Sequence, residues 1–231
     1  GALTYLERVD EALASLDAAI AADRTSLEAY EAKAGLLIEL DRKREALDVY
    51  DALVRALPTN SDAHYGRALI LLELERYDDA IASYREAIRL DPEDAANYND
   101  LGVALQRTGK GEEALAAYRE AHRLEPEMQL YLGNVLSTLI QLQRGPEALK
   151  LVEDRAQRAP TAEAFQTLAS VQLALEQKEP ALESARRSVA LDSTYLAAHA
   201  TLTVTLPQLA RLGEALAAAL IMTPITPTES R

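Results

Sequence analysis

Residues 95–107 read Ala95-Ala96-Asn97-Tyr98-Asn99-Asp100-Leu101-Gly102-Val103-Ala104-Leu105-Gln106-Arg107. After Thr108-Gly109-Lys110-Gly111 comes Glu112-Glu113-Ala114-Leu115-Ala116-Ala117-Tyr118-Arg119-Glu120-Ala121, and the stretch closes on Glu125-Pro126-Glu127. Tyr98, Leu101, Gly102 and Leu105 recur at spacings of three and four, so they share one face of a helix. Gly109 and Gly111 mark a turn, where glycine supplies conformations that other residues resist. Ala114, Tyr118 and Ala121 resume the helical spacing. Pro126 ends the second helix, because proline lacks the N–H and turns its predecessor away from helical geometry. Gly102 and Ala114 are where two helices approach closely, with Tyr98 or Tyr118 filling the space beside them. A helix–turn–helix hairpin stacked on copies of itself satisfies this packing code.

The copies are present. Asp79-Ala80-Ile81 stands 34 residues before Glu113-Ala114-Leu115, and Glu11-Ala12-Leu13, Glu45-Ala46-Leu47, Glu147-Ala148-Leu149, Pro180-Ala181-Leu182 and Glu214-Ala215-Leu216 continue the series. Such a period means supersecondary units, none of which buries its apolar face alone. Residues 61–94 carry Ala68, Tyr77, Ala80, Tyr84, Ala87 and Asp91-Pro92; residues 27–60 carry Tyr30, Ala34, Ala46, Tyr50 and Pro58. Residues 129–161 and 162–195 keep register through Ala148 and Pro160, then Phe165, Ala169 and Ala181.

This pattern resembles the tetratricopeptide repeat over almost the whole chain. The resemblance implies an all-α fold, a right-handed α-solenoid of stacked helix–turn–helix hairpins. Its expected organisation is one solenoid over 1–222 and a flexible tail at 223–231. Within the solenoid stand a partial repeat at 1–26, repeats 27–60, 61–94, 95–128, 129–161 and 162–195, and a degenerate repeat at 196–222. The first unit is expected to begin part-way through a first helix, with Leu3 and Leu6 ahead of a second helix around Ala12, Leu16 and Ala19. In the last, Pro207 predicts a kink or early stop. The apolar run Leu216, Leu220, Ile221 and Met222 has no polar capping helix after it, and terminal repeats need a polar outer face. That end implies a longer chain, packing on the kinked helix before it, or assembly with a second copy into a homo-oligomer.

Composition narrows the function. The hydrophobic content is 48% with 26% charged residues, and nine glycines and nine prolines are too few for a linker-rich chain. The net charge of −13 repels nucleic-acid phosphates and anionic membrane surfaces. The basic run Arg42-Lys43-Arg44 falls at a turn, where a solvated cluster accounts for it. The absence of cysteine excludes disulfides and thiolate chemistry, and no stretch is long and apolar enough to insert in a bilayer. The chain begins at Gly1 rather than methionine, so a signal peptide or upstream domain is one expected reason.

No constellation calls for catalysis, a metal or a cofactor. His64 and His199 replace the aromatic of the repeat's fourth position, and His122 lies late on a second helix; a metal site needs several convergent ligands. The glycines fit the repeat and do not open a helix after a strand. Asp78-Asp79 and Glu112-Glu113 begin second helices, where carboxylates favour the helix dipole and cap free N–H groups. Pro146 and Pro180 sit at helix starts, where the missing N–H costs little. The chain reads as a non-enzyme.

In the family resembled, first helices line a concave groove, and positions two, five, six, nine, twelve and thirteen of each repeat face it. The resemblance therefore implies a partner-binding groove with Glu31, Glu39, Tyr65, Leu69, Glu73, Asn99, Gln106, Arg107, Asn134, Ser137 and Gln166 as candidates. Glu28, Asp62, Leu72, Asp100 and Val103 stand beside them. The basic clamp of relatives that hold a terminal carboxylate is missing, and the sixth-position asparagine ladder of sugar-transferase relatives is reduced to Asn134. Tyr65, Leu69 and Leu72 form an apolar stripe rimmed by acids, and apolar patches mark interaction sites. The implied role is a scaffold for a protein or peptide partner with basic and apolar residues. A substrate-recruiting arm of a larger enzyme and a self-assembly module are the alternatives.

Overall fold

The computed structural model describes residues 2–208, with side chains from Arg8 to Val204. The candidate assembly residues Leu216, Leu220, Ile221 and Met222 and the tail at 223–231 lie outside the described residues. The chain divides into two compact units, residues 1–135 and 136–231. Among the described residues there are α-helices and no strand. They are α1 (Ala2–Ala22), α2 (Leu27–Glu39), α3 (Lys43–Ala56), α4 (Ser61–Glu73), α5 (Tyr77–Leu90), α6 (Ala95–Arg107), α7 (Gly111–Leu124), α8 (Gln129–Gln141), α9 (Gly145–Arg158), α10 (Ala162–Ala174), α11 (Lys178–Leu191) and α12 (Leu196–Gln208). From α2 onward they form an all-α solenoid of helical hairpins, a short first helix followed by a second.

Local chemistry sets each boundary. Four first helices begin behind a polar cap: Ser26, Asn60 and Thr161 accept from the N–H of Ala29, Ala63 and Ala164, and Asp94 from that of Ala96. Each hairpin turn passes through one residue in the left-handed region, Asp41, Glu75, Gly109, Gln143 and Glu176 in turn. Only the third of these is a glycine. Second helices start without a side-chain cap. The acids at those starts, read as caps, are engaged differently: Asp79 pairs with Arg76, Asp78 with Lys110 and Glu113 with Arg85. Arg76 and Lys110 stand in the turns and Arg85 on α5, and a charge-assisted pair outcompetes a neutral N–H for the carboxylate.

In the first unit the core is built from Leu37, Leu53, Ile70, Leu71, Tyr84, Leu105, Leu115 and Tyr118, all nearly or fully buried. Gly102 lets Tyr118 lie against α6, as its spacing suggests. Arg67 stitches three helices, donating to Asp51 on α3 and to Ser83 on α5. Lys33 reaches Asp17 on α1 across the same sixteen-residue offset. In the second unit Ala169, Leu182, Ala185 and Leu202 form one cluster, and the buried Ser184 donates to Gln172 at 2.7 Å.

The start of the chain differs from expectation. Residues 2–22 form one continuous helix, without the turn expected between Leu6 and Ala12. No glycine or proline interrupts that stretch, so nothing in it favours a break. At the other end α12 runs past Pro207 to Gln208, the last residue described, and no early stop precedes the proline.

Candidate partner-binding surface

The first helices of the first unit bring several candidate residues into one hydrogen-bonded row. The Tyr65 hydroxyl on α4 donates to Asp100 Oδ2 on α6 at 2.9 Å, and Asn99 Nδ2 donates to Asp100 Oδ1 at 2.9 Å. Asn134 Nδ2 on α8 then donates to Asn99 Oδ1 at 2.7 Å. Asp100, a neighbour of the candidates in the sequence reading, is the hub. The second unit repeats the arrangement once: Gln166 Nε2 on α10 donates to Thr201 Oγ1 on α12 at 2.7 Å. Each cross-hairpin bond joins residues 35 apart, one more than the repeat period. Polar side chains at the fifth position of one repeat and the sixth of the next were a signal available in the sequence. A count of sixth-position asparagines alone misses it.

Burial shapes this row. Asn99 is buried, whereas Tyr65, Asp100 and Asn134 are half-buried. The Tyr65 ring meets that of Tyr84 at a centroid distance of 6.0 Å and a tilt of 58°, a favourable aromatic arrangement. The Tyr84 hydroxyl oxygen is buried and has no hydrogen-bond partner. Burial raises the pKa of both phenols, and the Asp100 carboxylate raises them further. Tyr118, whose hydroxyl donates to Gln106 at 3.1 Å, is pushed up to about 12, by burial first and by Asp100 second.

Several acids of the second helices of the first unit are ion-paired, as in Arg89–Glu86 and Arg123–Glu120. Glu28, Glu31, Asp62, Asp94 and Asp100, on or leading into first helices, form no ion pair among the described residues. Two first-helix cations, Lys33 and Arg67, are committed to Asp17 and Asp51. Partial desolvation, followed by the nearby Asp62 and Glu28, raises the Glu31 pKa. Leu69 and Leu72 are half-buried on α4 beside this acidic strip.

The remaining candidates are dispersed. Glu73 is ion-paired with Lys43 at 3.2 Å. Glu39, Arg107 and Ser137 are exposed. His64 Nε2–H donates to the Pro58 carbonyl at 3.0 Å and His199 Nε2–H to that of Ser193 at 2.8 Å. Both rings therefore tether the loop six residues before them. Two clefts lie elsewhere, about 600 Å³ between α1, α2 and α3 and about 610 Å³ among α9, α10 and α11. In the second, Arg187 covers the Phe165 ring at 4.1 Å. No helix among the described residues is long and apolar enough to cross a membrane.

Comparison with known proteins places these features. The tetratricopeptide repeat profile matches residues 2–61 and 32–95, and a second profile of the same family matches residues 71–133. Together they reach from residue 2 to residue 133, more than half of the chain. No curated protein matches it. Among solved structures, it is similar to YrrB, described as a tetratricopeptide repeat protein with an unusual peptide-binding site. The identity is 22%, the match covers 79% of this chain and 95% of that one, and the TM-score is 0.57. PilF of Pseudomonas aeruginosa is 17% identical over 96% of this chain and 95% of its own, with a TM-score of 0.57. MamA of Desulfovibrio magneticus is 19% identical over 74% and 97%, with a TM-score of 0.51. At such identities the likeness concerns the fold.

Proposed function

The chain belongs to the tetratricopeptide repeat family, whose repeats mediate protein–protein interaction, and from that premise we propose that its first helices hold a partner segment without catalysing a reaction on it. The binding surface is the face of α2, α4, α6 and α8 that carries Glu31, Tyr65, Leu69, Asn99 and Asn134, with Ser137 and Gln166 presenting its counterpart in the second unit. The observation that carries this reading is the half-buried stripe Tyr65, Leu69 and Leu72 beside carboxylates that have no ion pair. Apolar area bordered by uncompensated charge suits a partner with both apolar and basic residues. The bonded row beneath it fixes the side chains in advance and lowers the ordering cost of association. The peptide-binding site named for YrrB is a precedent within the fold.

A photo-crosslinking residue at Leu72 on a first helix, compared with one at the exposed Ala116 on α7, tests the reading in a lysate of the source cells. Adducts are expected from position 72 and not from position 116. Equal adducts from both positions, or adducts from position 116 alone, reject the first-helix surface.

A further inference from the structure

Arg67, the seventh residue of α4, donates to Asp51, the ninth of α3, and at 2.8 Å to Ser83, the seventh of α5. Lys33, the seventh residue of α2, reaches Asp17 across the same offset. Where the seventh residue of a later first helix is apolar, the ninth of the second helix before it is an arginine. Arg85 precedes Leu101, Arg119 precedes Val135 and Arg186 precedes Leu202 in this way. One pair departs from the rule. Glu153 is the ninth residue of α9, and Leu168 is the seventh of α10. The acid is kept while its cation has been replaced.

Glu153 and Leu168 both line the cleft of about 610 Å³ in the second unit. Ser184, the seventh residue of α11 and so the counterpart of Ser83, lines it as well. The two acceptors that hold the Arg67 guanidinium therefore have counterparts here with no guanidinium between them. Ser184 is buried and gives its proton to Gln172 Oε1, which leaves the hydroxyl oxygen as an acceptor. Glu153 is half-buried and forms no ion pair among the described residues. Arg187, the cation of this lining, lies over the Phe165 ring at 4.1 Å and takes neither acceptor. With Glu183 on the rim, the lining holds two carboxylates against that one cation, so one further positive charge neutralises it.

We propose that this cleft is a partner site separate from the first-helix surface, and that it takes an arginine side chain of a protein segment. The guanidinium pairs with Glu153 and donates to Ser184, as Arg67 does with Asp51 and Ser83. Its methylene stem lies on Leu168 and Phe165, both buried in the floor. Arginine is specified over lysine because two acceptors on different helices need a planar fork of donors, which a single ammonium nitrogen does not supply. A lone guanidinium fills little of the cleft, whereas residues flanking it in a segment cover the exposed rim at Pro160 and Pro180.

The test is a titration of the full chain, followed by two-dimensional amide NMR, with a capped alanine pentapeptide that has arginine at its centre. Lysine and citrulline versions accompany it, since citrulline keeps the shape of arginine and removes the charge. The arginine peptide is expected to shift the signals of Gln172 and Ser184 and to bind at least tenfold tighter than either analogue. Glu153→Gln, at a half-buried position, should weaken it tenfold or more, and Ser184→Ala about threefold. Leu168→Arg supplies the missing side chain from within, so the folded variant should no longer bind the peptide. Equal binding of the citrulline version overturns the proposal, as does binding unchanged by Glu153→Gln or by Leu168→Arg. Shifts confined to the first helices of the first unit overturn this site and leave the other surface standing. Free agmatine that binds as tightly as the peptide overturns the protein segment in favour of a small guanidine.

Discussion

A methyl group at position 102 falls inside the ring of Tyr118: a Cβ there lies 2.6 Å from Cε1 and 2.9 Å from Cζ. The neighbour is a fully buried ring with no space to retreat. Gly102→Ala is therefore expected to lower stability by about 1–3 kcal/mol, the usual cost of overpacking, as read by urea denaturation. Tyr118→Phe should not relieve it, because the clash is with ring carbons, whereas Tyr118→Leu should recover part of the loss. Glu31 supplies a pH signature. Its folded pKa is raised, so in the window above the ordinary glutamate value of about 4.3 the native state holds more proton than the unfolded state. This contribution favours folding at low pH and is lost as pH rises through the folded value. Glu31→Gln should accordingly stabilise the chain at pH 7 and not at pH 4. The gain should be on the order of a few tenths of a kcal/mol, since the side chain is exposed and solvent screens its neighbours. Thermal melts at the two pH values check the sign.

Hairpin turns show how a repeated element tolerates unlike residues. Asp41, Glu75, Gly109, Gln143 and Glu176 share the left-handed conformation, with φ between 57° and 75°. An L side chain there costs about 1–2 kcal/mol relative to its preferred geometry. Gly109→Ala should thus destabilise by about 1 kcal/mol, while Glu75→Gly should stabilise by less, because glycine also frees the unfolded chain. Equilibrium denaturation of the two variants checks the opposite signs. The turn at Gly109 could be read from the sequence because glycine announces that conformation, and the turn beside Asp41 from its charge cluster; the left-handed residue was not legible at Glu75, Gln143 and Glu176, whose side chains favour helix. Hairpins were legible for a related reason. Ala46, Ala80, Ala114 and Ala148 are all fully buried, and periodic small residues encode close packing directly. The bonded row was less legible. It depends on which way Tyr65, Asp100, Asn99 and Asn134 point across neighbouring elements, and a pattern read one repeat at a time carries no such pairing. The acids opening second helices stand in the first turn, where the dipole favours them, but the capping read for them fails for the converse reason: their partners are arginines and lysines in the turns and on neighbouring helices.

Within the first unit, burial rises from its beginning toward α6 and α7. Over the described side chains of α1 only Val9 is buried, and Leu13, Leu16 and Ile20 are partly exposed. In α6 and α7 Leu101, Ala104, Leu105, Ala114, Leu115, Ala117, Tyr118 and Ala121 are all buried. In a linear array each element is stabilised by its own helix propensity and by its immediate neighbours, and an isolated helix is marginal in water. The cleft of about 600 Å³ beside α1 removes contacts that would otherwise hold it to the first hairpin, leaving the Lys33–Asp17 pair as one polar tie. Native-state hydrogen exchange is therefore expected to give the lowest protection in α1 and the highest in α6 and α7, with opening energies that differ by several kcal/mol. Lys33→Met should lower protection in α1 while leaving α6 and α7 unchanged, because their contacts do not pass through that pair. Uniform protection across the first unit would mean that its hairpins open together, and a bound segment would then stabilise all of them equally. With the graded pattern, a partner spanning α2, α4 and α6 should raise protection most in α2 and least in α7, since the helix nearest the weak end has the most to gain from a new neighbour.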